Sequence, residues 1–311
     1  MTARWAGAQT TGRTYRLGWL ATVDIFHEPY SEAFVRRLGQ LGFLEGKNLS
    51  IVFRQAAGRV ERLPALAGEL VKLNCDALFA GGLEASLVAL KRASRHTPIV
   101  FVAVDFDPVA TGHVASLARP GDLVTGITAV QSILPGKRLE LLKELIPDSR
   151  KVAVFTNDQT GGQLAVAQDA ARRLGLTLHV IEFKRQPFDY GAGVLDATRV
   201  NADALFVLGS GLFVEGRRKI PELALKAKLP SVFHHSQWAE AGGLMSYGFN
   251  FSDMWSRGAE MVGQILRGAR AGDIPMEQPS TYELAINMKT ANALGIRIPH
   301  SIQLRADRII Q

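Results

Sequence analysis

Two runs of alternating strand and helix patterns, placed end to end, constrain this chain more than any other feature. The first run opens with an apolar stretch at 16–23 and helical spacing over 31–41, with Ser31 in the N-cap position. It continues as a strand at 49–55, a helix at 62–73, a strand at 76–80, a helix at 84–94 and the run Pro-Ile-Val-Phe-Val-Ala-Val at 98–104. Uninterrupted apolar strands between amphipathic helices are the pattern of a parallel sheet buried on both faces. After Thr125-Gly126-Ile127 the beat restarts. Helices are predicted at 134–145, 164–174, 191–200 and 215–227, and strands at 151–156, 177–183, 204–208 and 231–234. Two such units predict an α/β protein of two doubly wound parallel-sheet lobes facing one another across a cleft. The 311 residues suffice for two cores, since a domain usually takes ~100–150.

The segment from Gly242 onward continues neither lobe. It reads as a strand at 244–249, a helix at 253–268 and a strand at 282–287 after a proline-bounded loop. Such a segment is expected to cross between the lobes, so that 124–128, 246–250 and 279–283 form a three-stranded hinge about which they close on a ligand. The first lobe then comprises 15–125 plus about 249–281, and the second 126–248 plus about 282–311. Residues 1–14 are expected to be a disordered tail or the remnant of a signal peptide, with Ala6-Gly7-Ala8 resembling a small-residue cleavage site.

Several function classes drop out. The net charge of +7 comes from cations scattered along helices, as in Arg172-Arg173 and Arg217-Arg218-Lys219. With no recognition module to place them in a groove, nucleic-acid binding is not expected. No run approaches the ~20 apolar residues of a spanning helix, so direct membrane insertion is not expected either. The single cysteine, Cys75, can form no internal disulfide and reads as a buried thiol. Residues 20–26, after the first strand, hold no glycine, which argues against a dinucleotide. Gly42-Phe43-Leu44-Glu45-Gly46-Lys47-Asn48 is one residue short of a phosphate loop and follows a helix, so it reads as a helix end and turn. Gly209-Ser210-Gly211 is not the spaced elbow of a serine hydrolase. Adjacent His234 and His235, on a strand, point to opposite faces; one of them is expected to meet the cleft as a neutral hydrogen-bonding partner, with no metal. No catalytic residue and no cofactor is assigned.

What remains is a cleft whose strand-end loops carry small and polar residues, on the edge where α/β sheets bind ligands. The candidate ligand contacts are Thr22, Asp24, Gly82, Glu84, Ser86, Asp105, Asp107, Asn157, Ser210, His235 and Tyr247. Each residue type also serves in caps and turns. Gly81-Gly82 lets a ligand approach the backbone, the next helix offers free N–H groups, and Ser86 adds a hydroxyl. Asp105 and Asp107 can accept from an amino or hydroxyl group, a pairing that suits a zwitterion.

Several segments are more specific than this. Leu117-Ala118-Arg119-Pro120-Gly121 with Val124-Thr125-Gly126, the helix Gly136 to Glu144, and Glu240-Ala241-Gly242-Gly243-Leu244-Met245-Ser246-Tyr247-Gly248 resemble the ABC transporter substrate-binding proteins, in the branch with a type I periplasmic-binding-protein fold. Glu277-Gln278-Pro279, Glu283-Leu284, Lys289-Thr290-Ala291 and Arg305-Ala306-Asp307 agree, and the resemblance runs from about Arg16 to the last residue. It implies a periplasmic receptor, with its signal peptide expected to be missing or truncated in this chain, that captures a small polar organic solute by hinge closure. An amino acid or an aromatic or carboxylic compound is the expected solute. An inner-membrane ABC permease is the expected partner, and the receptor is expected to be a monomer and not an enzyme. A cytoplasmic ligand sensor on the same fold is the alternative. Two departures stand out: Gly81-Gly82-Leu83-Glu84 replaces the loop Gly-Thr-Pro-Ala common in the family, and Gly209-Ser210-Gly211 lies where many relatives carry an acidic or amide residue beside a proline. The second removes an amino-group partner.

Overall fold

The computed structural model describes residues 12–279 and 281–311. The expected tail therefore lies outside the described residues except for Gly12, Arg13 and Thr14. From Tyr15 the chain builds β1 (Tyr15–Ala21), α1 (Pro29–Gln40), β2 (Leu49–Gln55), α2 (Leu63–Lys72), β3 (Ala77–Gly82), α3 (Glu84–Ala93), β4 (Ile99–Val104) and β5 (Val124–Ala129). These strands form a five-stranded parallel sheet in the order β2-β1-β3-β4-β5. The centre of the sheet is buried on both sides, as its unbroken apolar strands require.

The second unit follows as α4 (Pro135–Leu145), β6 (Lys151–Thr156), α5 (Gly161–Leu174), β7 (Thr177–Glu182), α6 (Tyr190–Arg199), β8 (Ala204–Val207), α7 (Lys219–Lys226), β9 (Ser231–Phe233), α8 (Ser236–Glu240) and β10 (Met245–Phe249). After α9 (Phe251–Leu266) the chain adds β11 (Tyr282–Asn287), α10 (Met288–Leu294), α11 (His300–Arg305) and β12 (Arg308–Ile310). The second sheet runs β12-β11-β10-β9-β8-β6-β7 and is parallel except where β11 lies antiparallel to β10. The strand order reverses inside each sheet, which marks both lobes as doubly wound.

The chain passes between the sheets three times: after β5, between β10 and α9, and between α9 and β11. Backbone bonds tie two of these crossings together, with Thr128 N donating to Glu277 O at 3.1 Å and Glu277 N to Gly126 O at 3.0 Å. The rings of Phe249 and Tyr282, 5.0 Å apart, connect the second crossing to the third. Helix α9 leaves the second sheet to pack on the first lobe, where Met254, Trp255, Ala259, Met261 and Val262 join the core around Trp19, Phe34 and Phe79. Glycine at position 81 permits this approach, since a Cβ there would stand 2.7 Å from the Trp255 ring.

Some local expectations change. Helix α1 begins two residues before Ser31, because Pro29 supplies a preset φ at the first turn. Ser31 is therefore inside the helix, its buried hydroxyl without a partner. The helix expected over 215–227 is split into a 3₁₀ turn at Gly211–Gly216 and α7, because the Ser210 hydroxyl accepts from Leu212 N and starts a turn earlier. Cys75 is a free, buried thiol. Among the described residues no helix is long and apolar enough to cross a membrane.

Candidate ligand-binding site

The carboxyl ends of β1, β3 and β4 meet those of β8 and β9 across a small cavity of about 60 Å³. Its first-lobe wall is formed by Val23, Ile25, Tyr30, Val102, Val104, Met254 and Trp255, with Thr22 and Gly81-Gly82 at strand ends. The second lobe contributes Ser210, Gly211, Val214, His234 and His235, and Phe251 closes the side where the chain crosses over. Tyr30 lies 4.9 Å from the Trp255 ring and 5.8 Å from Phe251, which in turn lies 4.6 Å from His235. Such spacings are those of mutually packed aromatic faces and edges.

The polar groups on this surface are few. Thr22 Oγ1 and Ser86 Oγ are 3.3 Å apart and both buried. Ser210 Oγ is held by Asn157 Nδ2 at 2.9 Å and Gln159 Oε1 at 3.1 Å. His235 Nε2 accepts from Trp238 Nε1 at 3.1 Å, so the proton of its neutral ring sits on Nδ1. That Nδ1 has no partner, nor has His234 Nδ1. Burial is the first cause that drives both rings toward the neutral form: the His234 pKa falls well below its ordinary value and that of His235 to about 3. The backbone N–H groups of Glu84 and Ala85 open α3 at the same edge, where helix geometry leaves them without an intrahelical acceptor.

Three charged groups stand behind this lining. Arg138, in the first turn of α4, is wholly buried; its Nε donates to Tyr247 O at 2.6 Å, while both terminal nitrogens lack partners. Burial lowers its pKa to about 9, opposed by the nearby Asp105 carboxylate, so it stays cationic at neutral pH. Glu28 and Arg217, each 15% exposed, form a 3.1 Å ion pair from one lobe to the other. Burial raises the Glu28 carboxyl, and Arg217 opposes that shift.

Of the residues singled out from sequence, the structure brings Thr22, Gly82, Ser210 and His235 to the cavity surface. Ser86 and Asn157 stand directly behind, each bonded to one of these hydroxyls. The others do not line this cavity, although Glu84 and Asp105 line an adjoining interlobe pocket that shares Leu83, Val104, Ser210 and Gly211 with it. Asp24 is exposed and accepts from Phe26 N at 3.2 Å. Glu84 meets His113 Nε2 at 2.9 Å. Asp105, at φ 59°, accepts from Ser132 N and from Gln163 Nε2, both at 2.8 Å. Asp107 caps a turn through Val109 N and Ala110 N. The Tyr247 ring stacks on Tyr282 at 5.7 Å.

The two histidines depart from strand alternation. Strand β9 ends at Phe233, so neither side chain is bound by the period of two, and both face the cavity with ring centroids 4.6 Å apart. Sequence reasoning missed Tyr30, Phe251, Met254 and Trp255, which sit at helical spacing and carry no mark distinguishing a cavity wall from an ordinary core. Arg138 was equally silent, one basic residue among several in Lys137-Arg138 and Lys143.

Residues 30–310 match the sequence profile of a family described as ABC transporter substrate binding protein. The chain belongs to that family. Members of this substrate-binding family bind a solute for transport and are not enzymes. A tyrosine-binding protein of Clostridioides difficile is 26% identical over 288 residues, covering 89% of this chain and 78% of the relative. Among solved structures, a conserved domain protein from Vibrio cholerae matches with a TM-score of 0.78 at 26% identity, over 96% of this chain and 100% of the other. A structure described as the ABC domain in complex with L-Trp from Streptococcus pneumonia gives 0.80 at 22% identity, with the same coverage. The substrate-binding protein described here thus has the type I periplasmic-binding-protein fold, and its family works with an ABC permease outside the cytoplasm.

Proposed function

We propose that this protein is the solute receptor of an ABC import system, taking up a small organic acid, amino acids included, with an aromatic or branched body. The interlobe cavity carries this reading: an apolar, partly aromatic surface holding a handful of hydroxyl, imidazole and backbone donors. Apolar walls set the affinity for a ring or branched chain, and sparse polar groups set its orientation. The likeness to a tyrosine-binding protein and to a domain holding L-Trp supports the same class.

The mechanism that follows is capture by closure. The lobes, taken as 15–125 plus about 249–281 and 126–248 plus about 282–311, part at the three crossings and shut on the solute. Closing brings Tyr30 and Trp255 of one side against His235 and Ser210 of the other. Thr22, Ser210, His234, His235 and the N–H groups opening α3 are the proposed polar contacts, with Gly82 leaving room beside them. The closed receptor then docks, as a monomer in the periplasm, on its permease.

A thermal-shift screen of amino acids, aromatic acids, sugars and nucleosides tests the class, because a ligand at 100 times its dissociation constant adds about 2.7 kcal/mol to stability. A shift for aromatic acids or amino acids, with a smaller radius of gyration by X-ray scattering at saturation, is the expected result. A shift for sugars or nucleosides alone, or an unchanged scattering profile at proven saturation, defeats the reading.

A further inference from the structure

We infer that the solute this cavity selects is an aromatic carboxylic acid lacking an α-ammonium group, in preference to the corresponding amino acid. The inference rests on reading the interlobe cavity as the solute site and asks which charges that site can accept. A buried ammonium needs a carboxylate or a set of free carbonyls facing it, and without them it loses hydration with little return. No acidic side chain lies among the residues lining the cavity. Glu84 and Asp105 line the adjoining interlobe pocket, and each carboxylate around the rim already has a partner. Glu28 pairs with Arg217, and Glu84 with His113. Asp105 accepts from a backbone N–H and from Gln163, while Asp107 and Asp24 accept from N–H groups of their own turns. The Gly209 carbonyl, on the adjoining pocket, accepts from Gln163 Nε2 at 2.7 Å.

The donor side is the reverse. His235 Nδ1–H is buried, unpartnered and part of the lining ring, and His234 beside it has an unpartnered nitrogen as well. The guanidinium of Arg138 carries two further nitrogens without acceptors, and its charge, like that of Arg217, is felt at His235. A carboxylate placed between the α3 N-terminus and the histidines therefore meets donors and a positive field. An ammonium on the next carbon meets two hydroxyls already engaged with their neighbours and neutral rings. Tyr30, Phe251 and Trp255 supply the faces for an aromatic body.

Matched pairs that differ only in the amine separate the alternatives: phenylalanine against 3-phenylpropionate, tyrosine against 3-(4-hydroxyphenyl)propionate, and tryptophan against indole-3-propionate. Each is titrated calorimetrically into the full chain at pH 7.5. The expected result is that the desamino member of the best-binding pair is tighter by about tenfold or more, the equivalent of ~1.4 kcal/mol. Equal or tighter binding of the amino acid overturns this inference and leaves the solute-receptor reading standing. Absence of binding by all six compounds at millimolar concentration overturns this inference, and the receptor reading then stands or falls on the thermal-shift screen.

Discussion

The two walls of the interlobe cavity are built on opposite principles. On the first lobe, Trp19 is in ring contact with Phe26, Phe34, Phe53, Phe79 and Trp255 at centroid distances of 5.0–5.6 Å, and the wall is the outer face of that cluster. On the second, His234, His235, Arg138, Gln237 and Ser246 are all buried, each with at least one polar atom lacking a hydrogen-bond partner. Buried polar atoms without partners are rare in folded proteins and are tolerated where function uses them. The first wall thus derives its order chiefly from ring packing, although Trp19 Nε1 within it also lacks a partner, whereas the second concentrates unpartnered hydrogen-bonding groups.

The most severe way to break this contrast is to remove the keystone of the first wall. Trp255→Ala deletes a ring buried to 2% exposure between Trp19, Tyr30 and Phe79. It is expected to lower unfolding free energy by ~3–5 kcal/mol. Urea titration measures this, and a loss below about 1 kcal/mol would show that packing does not hold that wall.

The second wall is expected to respond to pH instead. Both histidines have depressed pKa values in the folded chain, so below the unfolded value of 6.5 the unfolded chain takes up protons that the folded one refuses. Stability is therefore full above pH 6.5 and falls as pH drops, toward about 3 for His235. The expected slope is ~1.4 kcal/mol per pH unit for each histidine. Urea titrations at pH 7.5, 6.5 and 5.5 give that slope, and the double variant His234→Gln, His235→Gln should flatten it. An unaltered slope in the double variant would mean that other groups titrate there.

The smallest effect is expected where the walls meet. Glu28→Gln removes one charge of the ion pair with Arg217 while keeping a side chain that can accept from it. Because the pair is only partly screened, its loss is expected to weaken solute binding two- to fivefold, about 0.4–1 kcal/mol, with melting temperature nearly unchanged. Calorimetry on the parent and the variant decides it. Equal affinities would mean that the contact between the lobes does not contribute to holding the closed form.

The same contrast explains what could be read from sequence. Strands such as 49–55, 151–156 and 282–287 coincide with β2, β6 and β11, because short alternating or apolar stretches flanked by helical spacing are too short to be helices themselves. Helices α8, α10 and α11 were not anticipated, since five to seven residues are too few to display a period of 3.6. At the site, Thr22, Gly82, Ser210 and His235 were legible as small or polar residues at strand ends. Asp105 and Asp107 belonged to the same class, and only three-dimensional bonding partners reveal that they serve the chain's own turns and lobe contacts. Arg138 lies on a helix whose pattern looks solvated, and no linear signal distinguishes a guanidinium that is wholly buried.

The contact between Gly81 and Trp255 also bears on the order in which this polypeptide can mature on the ribosome. The core around Trp19 and Phe79 is completed by α9, yet α9 is made only after the whole stretch from β6 to β10 has been synthesised. A nascent chain ending anywhere before Phe251 leaves the aromatic face of its leading half open to solvent. The leading half therefore cannot finish folding ahead of the rest, as the first domain of a beads-on-a-string protein does. The first lobe lacks part of its core until α9 has been made.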